Sequence, residues 1–258
     1  MRHERSETGR EREQVDRCRL ERFPHQDGQV RVGPVVEHAI ALSRHPGRAR
    51  FCFSGTALDD DPDWEHEARS ALVGAGVQFS APRLTHPGDL QELRELLTEQ
   101  DVIWANGGSG ARLLEVWHRL DLGDVLREAW DRGTVMAGIS AGAICWHVGG
   151  TPDWGDEPRA EAILDGLGLV PFETGVHYQD ERRPVLHELV ANQVLPVSYA
   201  TDDGVALVYQ DDHLFEAVAD TPDANAYRVS RNPDGSIEEA VITPRLLNER
   251  PGARLPFR

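Results

Sequence analysis

Val135-Met136-Ala137-Gly138-Ile139-Ser140-Ala141-Gly142-Ala143-Ile144-Cys145-Trp146 is an apolar run that breaks at a Gly-x-Ser-x-Gly turn and resumes with small residues. Residues 135–137 read as the end of a buried strand and residues 141–146 as the first turns of a helix. A serine at such a strand-to-helix turn is pushed out of a sheet into a crevice. Small neighbours let the backbone turn tightly and let a substrate approach. The competing reading is that Ser140 merely caps the helix that follows it. With a strand before it and a helix after it, the motif reads as the display of a nucleophile.

Upstream, the same alternation repeats. Residues 48–53 form a short β-rich run ending at Ser54-Gly55-Thr56, residues 63–74 carry apolar positions at helical spacing, residues 77–79 read as a strand and residues 89–97 as an amphipathic helix. The strand at 101–105 runs into Asn106-Gly107-Gly108-Ser109-Gly110, with helices expected at 111–120 and 124–131. Glycines in that loop free backbone N–H groups to face a crevice. A phosphate-binding loop is the alternative, but the Lys-Ser/Thr ending and a Gly-x-Gly-x-x-Gly are both missing. Alternating strands and helices predict a doubly wound, mostly parallel α/β sheet with helices on both faces.

Beyond Trp146 comes a polar loop at 149–161 with Asp153, Asp156 and Glu157, then Val176-His177-Tyr178 after an apolar stretch. A helix is expected from Arg182 to about residue 192. Asp202-Asp203-Gly204 reads as a turn, residues 205–209 and 214–218 as a hairpin, and residues 226–230 as the last strand.

The chain has 258 residues, of which 40% are hydrophobic, enough for one large α/β domain. Residues 1–30 are rich in Arg, Glu and Gln and read as a charged extension; the domain is expected at 31–245 and a Pro-, Gly- and Arg-rich tail at 246–258. No apolar run spans a bilayer and no apolar segment follows the charged N-terminus, so a cytoplasmic protein is expected. Three scattered cysteines suggest neither a disulfide framework nor paired zinc ligands, and neither cofactor nor metal is implied. A net charge of −17 argues against nucleic acid as a partner, because phosphate neutralisation needs a basic face. Small peptides are the expected partners, with no membrane; the sequence leaves open whether the chain forms a homodimer.

A serine hydroxyl attacks an acyl carbon only when an imidazole takes its proton and a carboxylate orients that imidazole. Among the 11 histidines, His177 follows a predicted strand end. His147 falls on the helix after Ser140, and His213 in the hairpin. Asp153, Asp156 and Glu157 are the carboxylates considered. The N–H of Ala141, with that of Gly107 or Gly108, would stabilise an oxyanion.

Gly-Ile-Ser-Ala-Gly-Ala-Ile-Cys-Trp, the preceding Asn-Gly-Gly-Ser loop, Leu-Gly-Leu-Val-Pro-Phe before Val-His-Tyr, and Asp-Asp-Gly-Val-Ala-Leu together resemble the peptidase E-like serine peptidases, relatives of aspartyl dipeptidases and cyanophycinases. The resemblance runs from about Phe51 to Ser230. It implies a single flavodoxin-like, class I glutamine-amidotransferase-like α/β domain and hydrolysis of short peptides or isopeptide-like bonds. It makes Ser140 the nucleophile and His177 the base. Asp153, thirteen residues past the serine, would be the orienting acid. Where relatives carry Gly-Gly-Gly-Asn-Thr, this chain has Asn106-Gly107-Gly108-Ser109-Gly110; where they read Pro-His-Tyr-Asp, it has Val176-His177-Tyr178-Gln179. Ser109 then offers the substrate fewer hydrogen bonds, and Arg182 or Arg183 is the nearest cation for a substrate carboxylate.

Two other readings compete. An α/β-hydrolase esterase would also use Gly-x-Ser-x-Gly but would take its base far toward the C-terminus, at His213. A non-catalytic binding or regulatory protein would keep the fold without the chemistry.

Overall fold

Phe51 and Phe53 alternate with Cys52 and Ser54, and Val102 and Trp104 alternate with Ile103 and Ala105, with all eight buried. Strands hidden on both faces belong to a parallel sheet covered by helices on each side. The computed structural model describes residues 23, 25–26, 29–151, 162–179, 182–195 and 197–247. A small hairpin, β1 (His25–Gln26) and β2 (Gln29–Val30), leads into α1 (Pro34–Leu42). A four-stranded parallel sheet follows from β3 (Arg50–Ser54), β4 (Gln78–Ser80), β5 (Val102–Ala105) and β6 (Val135–Gly138), in the order β4-β3-β5-β6.

The first face of that sheet packs Phe51, Phe53, Val102 and Trp104 against α1 and α2 (Pro62–Gly74), through Val36, Ile40, Ala68 and Leu72. The other face packs Cys52, Ile103 and Ala105 against α3 (Leu90–Thr98), α4 (Gly110–Arg119) and α5 (Gly123–Asp131), through Leu93, Leu113, Trp117 and Leu126. Phe23 lies before the expected domain start, yet it is 1% exposed within the first cluster. Burying such a ring is worth roughly 1.5–3 kcal/mol.

The second half departs from one continuous doubly wound sheet. The helix expected over residues 141–146 is only α6 (Ala141–Ile144), and His147 opens a strand, β7 (His147–Gly150). It pairs in parallel with β8 (Val170–Gly175), which pairs in parallel with β9 (Val197–Thr201). Helix α7 (Arg182–Ala191) connects β8 to β9 and buries Leu186 and Val190. The hairpin β10 (Val205–Gln210) and β11 (His213–Ala219) appears as expected, in a separate small sheet. Past residue 230 the chain adds β13 (Ile237–Ile242), paired antiparallel to β12 (Ala226–Arg231), and β14 (Arg245–Leu246). The second large sheet therefore runs β13-β12-β9-β8-β7 and is mixed. The adjacent Glu238 and Glu239 break the period-two pattern of β13, and as an edge strand it has only one sheet neighbour. No helix among the described residues is long and apolar enough to cross a membrane.

Candidate active site

Ser140 stands two residues past the end of β6, His177 two past β8 and Asp203 two past β9. Strands β8 and β9 are parallel neighbours with Gly175 opposite Ala200, a register that puts His177 level with Asp202 and one residue short of Asp203, so the loops that follow the two strands come side by side. Open α/β sheets gather their functional groups at these carboxyl ends.

Ser140 has φ 52° and ψ −123°, a backbone conformation that side chains of L-residues avoid, and its side chain makes no capping hydrogen bond to the helix it precedes. The hydroxyl instead lies 3.0 Å from Nε2 of His177. Helix α6 presses close to the parallel sheet, since a Cβ on Gly142 would lie 2.0 Å from the carbonyl oxygen of Ala105 and 2.7 Å from that of Asn106. This contact holds the elbow against the Asn106-Gly107-Gly108 loop.

His177 also has positive φ, 54°, and its side chain is 12% exposed. Its Nδ1 lies 2.5 Å from Oδ1 of Asp203. With Nδ1–H donated to that carboxylate, Nε2 is left as the acceptor facing Ser140. The carboxylate on the imidazole is therefore that of Asp203, from the Asp202-Asp203-Gly204 turn; Asp153, Asp156 and Glu157 lie outside the described residues. The one local signal for it was the Asp202-Asp203-Gly204 turn, which puts an acid two residues past the end of β9.

The loop after β5 is clamped from outside. Gly108 has φ 138°, and a Cβ there would lie 2.3 Å from the carbonyl oxygen of Ala57, which also accepts the N–H of Ser109 at 2.9 Å. Ala57 sits in a 3-10 turn (Thr56–Leu58) fastened by Asp60, whose carboxylate accepts the Thr85 N–H and hydroxyl, each at 2.7 Å, and the Thr56 hydroxyl at 3.3 Å. Among the described residues the backbone N–H groups of Gly107, Gly108 and Ala141 have no acceptor. Ser109 is the N-cap of α4, its hydroxyl accepting the Arg112 N–H at 3.2 Å, so that oxygen serves the helix.

The other residues singled out have structural partners. Arg182 is buried and donates to the Val176 carbonyl at 3.4 Å. Arg183 pairs with Glu239 at 3.0 Å and lies over the rings of Tyr178 and Tyr227. His147 donates Nδ1–H to the Ala143 carbonyl at 3.0 Å and accepts from the Tyr209 hydroxyl at 3.3 Å; its burial pulls the imidazole pKa down to about 4. His213 is 84% exposed in its side chain and pairs with neighbouring Asp212. No group of metal-ligating side chains occurs among the described residues.

Serine, imidazole and carboxylate thus stand linked in the order a serine hydrolase uses, on an α/β framework. The chain matches Peptidase family S51 over residues 27–217, and it belongs to that family. Membership makes it a peptidase, a hydrolase of amide bonds. It is 38% identical over 182 residues to the "Uncharacterized peptidase YgaJ" of Bacillus subtilis (strain 168), covering 70% of this chain and 77% of that protein. It is 33% identical over 148 residues to Peptidase E of Streptomyces coelicolor, covering 56% of this chain and 58% of that one. Its fold is similar to that of a peptidase from an acI-B1 Actinobacterium, with a TM-score of 0.62, 20% identity, and coverage of 81% and 86% of the two chains.

Proposed function

We propose that this protein hydrolyses short peptides through an acyl-enzyme on Ser140. The observation that carries the reading is the relay from the Ser140 hydroxyl to His177 Nε2 at 3.0 Å and from His177 Nδ1 to Asp203 at 2.5 Å. The strained strand-to-helix position of the half-buried serine supports it.

In this reading His177 removes the hydroxyl proton as Ser140 Oγ attacks the peptide carbonyl. Negative charge gathers on the carbonyl oxygen, and the unpartnered N–H groups of Ala141 and of Gly107 or Gly108 are the donors at hand for it. The imidazolium, stabilised by Asp203, gives its proton to the leaving amine, and the C–N bond breaks. Water then repeats the cycle: His177 takes its proton, hydroxide attacks the ester carbonyl, and the proton returns to Ser140 as the acid leaves. Asp203 orients the ring and stays ionised throughout. This arrangement disfavours an esterase whose base is His213, because that ring pairs with Asp212 in the solvent.

A fluorophosphonate should add one phosphonyl group to Ser140, located by peptide mass, and Ser140→Ala should remove both labelling and dipeptide hydrolysis. Labelling of a different serine in active protein would overturn the assignment.

A further inference from the structure

His177 and Asp203 meet because two chain segments are held at a fixed separation, and His177 holds a left-handed backbone, φ 54°, that persists only where its surroundings impose it. The restraint on each comes from its neighbour in sequence. Tyr178, directly after His177, is 1% exposed, donates its N–H to the Thr201 carbonyl at 2.9 Å and its hydroxyl to Glu239 Oε2 at 2.7 Å. Asp202, directly before Asp203, donates its N–H to the Asn225 carbonyl at 3.0 Å, and its carboxylate Oδ2 accepts the Asn225 N–H at 2.9 Å and the Tyr227 hydroxyl at 3.2 Å.

The Tyr178 and Tyr227 rings lie 5.1 Å apart, and the Arg183 guanidinium sits 5.0 Å from one and 4.8 Å from the other. Glu239 ties this group together: Oε1 pairs with Arg183 at 3.0 Å, while Oε2 also accepts from His187 at 3.0 Å. Burial pushes the Glu239 carboxyl pKa up, but the hydrogen bonds from Tyr178 and His187 and the charge of Arg183 outweigh it and hold the group below the usual range. Burial, then Glu239 itself, pushes the Tyr178 phenol up, so the donor keeps its proton and the acceptor its charge. Glu239 lies on β13, beyond the stretch that matches the family.

We propose that Glu239 is a positioning residue for the His177–Asp203 pair, acting through Tyr178 on one side and through Arg183, Tyr227 and Asp202 on the other. The inference rests on the serine-peptidase reading above. Releasing Glu239 frees the Tyr178 hydroxyl and the Arg183 guanidinium, and His177 can then relax out of its strained backbone. A displacement of about 1 Å in a reacting group costs on the order of a hundredfold in rate.

The test is the second-order rate of Ser140 labelling by a fluorophosphonate in the full chain, measured as a double-mutant cycle on folded protein. Glu239→Ala should slow labelling about 10- to 100-fold, and Glu239→Gln, which keeps an acceptor for Tyr178, should recover most of that loss. In an Asp203→Asn background, where the pair is already broken, Glu239→Ala should cost less than about twofold. An equal loss in both backgrounds, or full-rate labelling of Glu239→Ala, overturns the proposal. Should Glu239→Ala not fold, Tyr178→Phe removes only the hydroxyl and should show the same dependence on Asp203; equal loss with and without Asp203 again overturns it. Wild-type protein unlabelled at Ser140 would instead overturn the serine-peptidase reading, and this inference with it.

Discussion

Asp203 reaches His177 from 26 residues further along the chain, and the 2.5 Å contact fixes which ring nitrogen is left to face the serine. An amide in its place can present its N–H to the ring and favour the wrong tautomer. Asp203→Asn should therefore lower kcat by about 10²–10⁴ with the fold intact, and by at least tenfold more than Asp153→Asn. Steady-state kinetics on one dipeptide, with circular dichroism of each variant, decides between the two acids. His147 has a different role, as a buried neutral ring. Its pKa lies near 4 in the folded protein and near 6.5 unfolded, so between those values the unfolded chain binds the extra proton. The stabilising contribution is complete above pH 6.5 and is lost as pH falls through 4, about 3 kcal/mol in all. Urea unfolding at pH 7 and pH 4 should show the pH-dependent loss shrinking by about that amount in His147→Gln.

At the scale of elements, the site is a set of strand ends. Three strands stop two residues short of Ser140, His177 and Asp203, and two of the three residues take left-handed backbones there, φ 52° and 54°. Glycine adopts such a conformation freely, so Ser140→Gly should be more stable than Ser140→Ala by about 1 kcal/mol in urea unfolding, although both lack the hydroxyl. Equal stabilities would mean that the elbow is unstrained. The same economy of space explains the clamp on the Gly107-Gly108 loop: Asp60 fastens the 3-10 turn, and the turn fastens Gly108. Ser109 takes a structural part as well, because a helix start leaves N–H groups unpaired and the nearest hydroxyl oxygen accepts one of them.

The whole molecule carries a net charge of −17, and the two cations expected to receive a substrate carboxylate are committed elsewhere, Arg183 to Glu239 and Arg182 to the Val176 carbonyl. Neither of these two cations rewards an acidic residue in the substrate. The ratio of kcat/KM for Asp-Leu over Ala-Leu should stay well below a hundredfold, about 2.7 kcal/mol of transition-state binding, and should rise with added salt as screening weakens the repulsion. Arg183→Ala should lower both substrates together, because it loosens the Tyr178 and Tyr227 rings instead of emptying a carboxylate site. A selective loss on Asp-Leu would restore Arg183 as a substrate contact.

The sequence alone determined the alternation of strand and helix from Arg50 to Gly138, the elbow at Ser140 and the resemblance built on long ordered motifs. These are local: apolar periodicity, a Gly-x-Ser-x-Gly turn and small residues at close contacts follow from neighbours in the chain. His177 was legible as well, because it stands just past an apolar stretch that ends at a glycine. The carboxylate that meets its ring was not, since three carboxylates in the loop after α6 were nearer in sequence, and nothing local says which strands lie side by side. Only the parallel pairing of β8 with β9 brings Asp203 to the imidazole. The same holds for Arg183 and Glu239, 56 residues apart in the chain and joined where the edge strand β13 meets α7. A strand's partner is chosen by the packing of the whole sheet, and that choice is made in three dimensions.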